Sequence, residues 1–209
     1  MKTFLKREQV EEKARGTLSK FEDCGGSLAP PIDVDLVGEL VYDLQIDWVV
    51  INEDSRTILG GLYPRKRRIA MNETHIEKFR QKPGLERFTK GHEIGHWVLH
   101  VDEASLDYPV LPGMEIEPDI LCRDGESSWR ERQAEWFSSA LLMPADILIP
   151  VCQNSDLLHR PSLYKIAEKF DVTITALSVR LSQLKLNYMD DRGNLYRSRE
   201  EYAGQKSFI

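Results

Sequence analysis

The spacing of hydrophobic residues changes several times along the chain, and each change marks an element. Between residues 5 and 22, Leu5, Val10, Ala14, Leu18 and Phe21 recur at roughly helical spacing among Lys, Glu, Arg and Gln, which predicts a surface helix stopped by Gly25-Gly26. Pro30-Pro31 opens a second predicted helix over 33–44, capped by Asp33, with Val34, Val37, Leu40, Val41 and Leu44 as its buried stripe. The pattern then turns β-like. Residues 48–51, 58–63 and 68–72 are short β-prone runs. The last two are joined by Pro64-Arg65-Lys66-Arg67 and predict an antiparallel hairpin whose outer edge could take an added strand.

Helical spacing returns at residue 73, breaks at Pro83-Gly84 and leads into a stretch over 88–100 with Ile94, Trp97, Val98 and Leu99 as its apolar surface. Residues 101–127 are acidic and rich in Pro and Gly, a long loop of the kind that borders a functional cleft. Ser127 or Ser128 then caps a helix over 129–142, with Ala134, Phe137, Leu141 and Leu142 on its apolar face and Pro144 as its stop. Residues 161–186 read as two short helices with a turn at 170–173, as in a helix-turn-helix. A hairpin turn at Asp190 to Asn194 follows, and the last ten residues read as a fraying end. The expected organisation is α+β, with a main domain over 1–150 and a C-terminal helical segment with its tail over 151–209.

Composition narrows the function. A chain of 209 residues with 41% hydrophobic and 30% charged content is ordinary for a folded domain. Its net charge of −6 argues against nonspecific nucleic-acid binding, which needs Lys and Arg to neutralise phosphates. Cys24, Cys122 and Cys152 are odd in number and lack CxxC spacing, so they suggest neither a disulfide framework nor a cysteine zinc site. The N-terminus has no hydrophobic region of signal-peptide length, and no segment approaches the roughly 20 apolar residues of a membrane span. The expected location is the cytoplasm.

The chemistry concentrates in His92-Glu93-Ile94-Gly95-His96. On a helix the two histidines project from one face and can converge on one metal ion, while Glu93, one position along, can reach a metal-bound water as a general base. Gly95, unfavourable in a helix interior by about 1 kcal/mol, suggests the close approach of another backbone. Glu131 and Glu135 share a face of the later helix, so either could complete the ligand set while the other bonds a ligand histidine. His100 has drifted about 80° around the helix from His92 and is expected to pack or meet solvent. Tyr63 and Tyr108 are candidate hydroxyls for a developing oxyanion.

The stretches Arg87-Phe88-Thr89-Lys90-Gly91-His92-Glu93-Ile94-Gly95-His96 and Glu131-Arg132-Gln133-Ala134-Glu135-Trp136-Phe137, the latter continuing to Met143-Pro144, resemble the cytosolic ImmA/IrrE-type metallopeptidases, a branch of the gluzincin-like zinc proteases. Ile69-Ala70-Met71-Asn72 resembles the strand before the motif helix. The likeness spans roughly residues 58 to 185. It implies a zincin-like core with a short antiparallel sheet and one Zn2+ per chain, held by His92, His96 and Glu131, with Glu93 as catalytic base. Manganese would also suit this donor set. The implied activity is a metalloendopeptidase that cuts a helix-turn-helix repressor, in mobile-element or stress-response control. Where Glu135 and Trp136 stand, the family usually carries Asn and a small residue.

A different class of reading makes the chain a catalytically weak zincin-fold module that binds a protein partner or DNA. Residues 160–209 hold nine Lys or Arg against six Asp or Glu, too small an excess to argue for DNA. A packing or substrate-docking role for the C-terminal helices is the expectation.

Overall fold

A computed structural model describes residues 4–53, 57–106, 120–123 and 128–206. Helix α1 (Arg7–Asp23) buries Val10, Ala14, Leu18 and Phe21, the stripe its spacing predicts. It ends where Gly25 takes φ +87°, in the left-handed region that favours glycine, and the Gly26 N–H donates to the Phe21 carbonyl. Helix α2 (Val34–Tyr42) starts at Asp33, whose carboxylate accepts from the N–H groups of Asp35 and Leu36.

Strands β1 (Gln45–Val49), β2 (Ile58–Tyr63), β3 (Arg68–Asn72) and β4 (Ile120–Arg123) form one sheet in the order β1-β3-β2-β4. The β2–β3 hairpin is antiparallel as expected, with Leu62 opposite Ile69. The sheet differs from expectation in three ways. It is mixed, because β1 pairs parallel to β3, Ile46 lying opposite Ile69. Strand β1 also begins three residues earlier than the apolar run 48–51: polar Gln45 and Asp47 alternate with Ile46 and Trp48, the period-2 pattern of a strand, and the two apolar side chains pack half-buried against the core. Finally, the outer edge of the hairpin is taken by β4, antiparallel to β2, so the open edge is not on the hairpin itself. That strand lies in the stretch expected to be pure loop, where the Pro, Gly and acidic composition around Ile120 and Leu121 conceals a short β-prone run. The rest of that stretch from residue 107 on lies outside the described residues, with Tyr108 and Ser127.

Helix α3 (Ile76–Gln81) breaks at Lys82, and Pro83 opens α4 (Pro83–His100), its missing N–H costing nothing in a first turn. Helix α5 (Trp129–Leu142) is capped by Ser128 and followed by α6 (Ala145–Gln153). Helices α7 (Arg160–Phe170) and α8 (Ile174–Gln183) flank a turn at the predicted place. This turn is seated on the start of α4: a Cβ at Gly84 would lie 2.7 Å from the backbone of Val172 and Thr173. Arg180 of α8, fully buried, donates to the Met143 carbonyl at 2.9 Å and forks onto the Glu11 carboxylate of α1. One apolar cluster therefore runs from Val10 through Ile94 and Phe137 to Leu181.

Beyond α8, β5 (Tyr188–Met189) and β6 (Leu195–Tyr196) make the expected hairpin, its turn held by the Asp190 carboxylate, which accepts from the N–H groups of Arg192 and Asn194. Helix α9 (Arg199–Lys206) follows where a fraying end was expected, and residues 207–209 lie outside the described residues. Among the described residues no single helix is long and apolar enough to cross a membrane.

Candidate metal centre

Helices α4 and α5 pack antiparallel because small residues meet on both. A Cβ at Gly91 would lie 2.7 Å from the Ser138 hydroxyl, and one at Gly95 would lie 3.1 Å from both the Cα and the carbonyl oxygen of Ala134. This is the close backbone approach that a mid-helix glycine signals. Ser138 fastens the pair by donating to the Phe88 carbonyl at 2.8 Å.

The contact aims His92 and His96 of α4 at Glu131 of α5. The two Nε2 atoms lie 2.9 Å apart, with Glu131 Oε2 3.0 Å from His92 Nε2 and Oε1 3.2 Å from His96 Nε2. All three residues are buried. Among the described residues these are the His, Cys, Asp and Glu side chains grouped closely enough to share an ion. Tetrahedral ligands at 2.0–2.1 Å from zinc are separated by roughly 3.3 Å, so the three donor atoms need open only slightly to hold a divalent ion. Two neutral imidazoles and one carboxylate form the donor set such ions take, with a fourth position left for a reactant.

Electrostatics agree. Burial disfavours the ionised Glu131 carboxyl, but its bonds to His92 and His96 outweigh that and draw its pKa down to about 2. Burial also lowers His96, the nearby His92 adding to it against the pull of Glu131, which favours the neutral imidazole a metal needs. Ser128 supports Glu131 from behind: its hydroxyl accepts from the Glu131 N–H at 3.2 Å, so the cap and the carboxylate occupy one turn.

Glu93 is completely buried, and neither carboxylate oxygen has a hydrogen-bond partner among the described residues. Burial, with the charge of Glu131 added, raises its pKa well above the ordinary carboxylate range. A buried carboxyl left without partners is costly, and such a group is more at home facing a bound water than packed in a core.

The structure distributes the other candidates differently. Glu135 is exposed and lines a 460 Å³ cleft with Phe88, Trp136 and Val179, so Glu131 and not Glu135 meets the histidines. Tyr63 packs on the Ile51, Ile58 and Ala70 cluster of the sheet, with Lys66 over its ring. His100 packs as expected, edge-on to Trp129, but its Nδ1 is also 3.0 Å from His96 Nδ1. Gln133 was not singled out by the sequence. Its Oε1 lies 3.1 Å from His100 Nε2, and its amide donates to the Leu5 carbonyl at 2.7 Å. The signal was present, since Gln133 is the polar member of the otherwise apolar row Gln133, Phe137 and Leu141.

A family model described as Peptidase_M78, IrrE N-terminal-like domain, matches residues 62–182. No curated protein matches the chain. Among solved structures, the chain is similar in fold to a Mycobacterium tuberculosis transcriptional regulator, at a TM-score of 0.52 and 15% identity. The alignment covers 90% of this chain and 55% of the regulator, so this chain spans about half of its length.

Proposed function

Because the chain belongs to the Peptidase_M78 family through its IrrE N-terminal-like domain, we propose that it is a zinc-dependent endopeptidase of the cytoplasm whose substrate is a helix-turn-helix transcriptional repressor. One observation carries the catalytic part: a buried triad of His92, His96 and Glu131 stands beside a buried, unpartnered Glu93. When bound, the ion supplies a Lewis acid that polarises a carbonyl and acidifies water. His92, His96 and Glu131 would hold it. Glu93 accepts the proton of the water that attacks the scissile carbonyl carbon and returns it to the amine as the C–N bond breaks. Burial raises the Glu93 pKa, which makes its carboxylate a stronger base than an exposed one. Manganese or iron could serve at the same donors.

The substrate follows from the family resemblance, and the fold shared with a transcriptional regulator is compatible with it. The test incubates zinc-loaded protein with candidate helix-turn-helix repressors and reads fragments by mass spectrometry. One discrete cut, absent after chelation and in Glu93→Gln protein that still holds its metal, is the expected result. An intact repressor that nevertheless binds the metal-loaded protein would favour the catalytically weak binding module.

A further inference from the structure

The donor pattern around His96 runs in one direction, and its origin is a backbone carbonyl at the other end of the chain. The Leu5 carbonyl can only accept, so the Gln133 amide nitrogen must face it and Gln133 Oε1 must face His100. His100 Nε2 must then carry a proton. In a neutral ring this leaves Nδ1 bare, and the group 3.0 Å away, His96 Nδ1, has to donate to it. His96 Nδ1–H is thereby turned to His100, and Nε2 is the nitrogen that faces Glu131 and His92, where a bound ion would take its lone pair. Reversing the chain would set Gln133 Oε1 against the Leu5 oxygen at about the separation of a hydrogen bond, with no proton between them.

We propose that His100 and Gln133 are positioning residues of the metal centre, forming with the Leu5 carbonyl a relay that fixes the tautomer and ring orientation of His96 as a ligand. The relay deepens the metal reading and rests on it. Its anchor is rigid: the same peptide unit that offers the Leu5 carbonyl donates its Lys6 N–H to Gln9 Oε1 at 2.8 Å, at the start of α1. The segment before α1 thus acts on a ligand that lies on α4.

Two measurements test it. In metal-free protein, 15N spectra of the imidazoles read the tautomers directly, without any ion. The expected result is a protonated Nδ1 on His96, with a protonated Nε2 and a bare Nδ1 on His100; a bare Nδ1 on His96 would overturn the relay. Titration with Co2+ then reads affinity and the visible ligand-field spectrum. His100→Phe keeps the ring packing but removes both nitrogens, and Gln133→Met keeps the shape but removes the amide. Each is expected to weaken Co2+ binding ten- to hundredfold, the range typical of lost outer partners. His100→Asn, whose amide oxygen can stand where Nδ1 stood, should stay within about threefold of wild type. His100→Phe protein that binds Co2+ as tightly as wild type, or His100→Asn protein as weak as His100→Phe, overturns the proposal. Wild-type protein with the expected tautomers but no Co2+ uptake would overturn the metal reading on which the relay rests and leave only a hydrogen-bonded chain.

Discussion

Gly95 on α4 faces Ala134 on α5 so closely that a Cβ on the glycine would sit 3.1 Å from the Ala134 Cα. The neighbour is backbone, so it can give way only by moving a helix. Gly95→Ala is expected to lose about 1–3 kcal/mol through overpacking, despite the better helix propensity of alanine. Because the displaced helix carries Glu131, metal affinity should fall as well. Gly16→Ala, on the exposed side of α1 with nothing within 4 Å, should instead gain about 0.5–1 kcal/mol. Denaturant unfolding of both variants checks the contrast.

Glu93 supplies a pH dependence of definite sign. Its folded pKa is raised above the ordinary value of 4.5, so above that pH the unfolded chain releases a proton that the fold retains. Stability contributed by this group is full below about pH 4.5 and is lost as pH rises through the higher folded value. Metal-free Glu93→Gln protein should therefore melt above metal-free wild type at pH 7, the two converging near pH 4. Equal melting temperatures at pH 7 would show that the carboxyl is not held at a penalty.

The Ser128 cap and the Glu131 carboxylate share one turn of helix. Ser128→Ala should cost about 1 kcal/mol of stability, typical of a lost cap. A measurable loosening of Co2+ binding should accompany it, since the same turn orients the carboxylate. Calorimetry and metal titration on the one variant would separate these effects.

The Arg180 guanidinium, 1% exposed, depends on Glu11 for its charge balance. Glu11→Ala leaves that cation buried and unpaired, and a loss of about 3 kcal/mol is expected. Replacing both residues by Met should recover much of it, because an apolar pair of similar volume does not strand a charge. A double-mutant cycle by chemical denaturation gives the answer.

Much of this was legible in the sequence, for local reasons. Asp33 and Ser128 were readable as caps because capping requires only a side chain and the next two or three N–H groups. Pro83-Gly84 marked the break before α4, and His92 and His96 followed from helical period alone. Between Glu131 and Glu135 the period could not choose, since both lie on one face; the choice was made by the seating of Gly95 on Ala134, a contact between distant segments. The parallel pairing of β1 and the capture of the hairpin edge by β4 are likewise non-local. Gln133 escaped notice because its meaning depends on Leu5, 128 residues away.

The bond between Glu11 and Arg180 joins residues 169 apart. At roughly 5–20 residues per second, a ribosome needs on the order of 10–30 s to travel that distance. During that interval α1 is finished, yet one of the groups that seat it has not been made. The histidine motif emerges about midway, before Arg180, the last clasp on α1, has been made. Under the proposed function, a nascent chain would carry the histidine motif for many seconds before Arg180 exists to clasp α1.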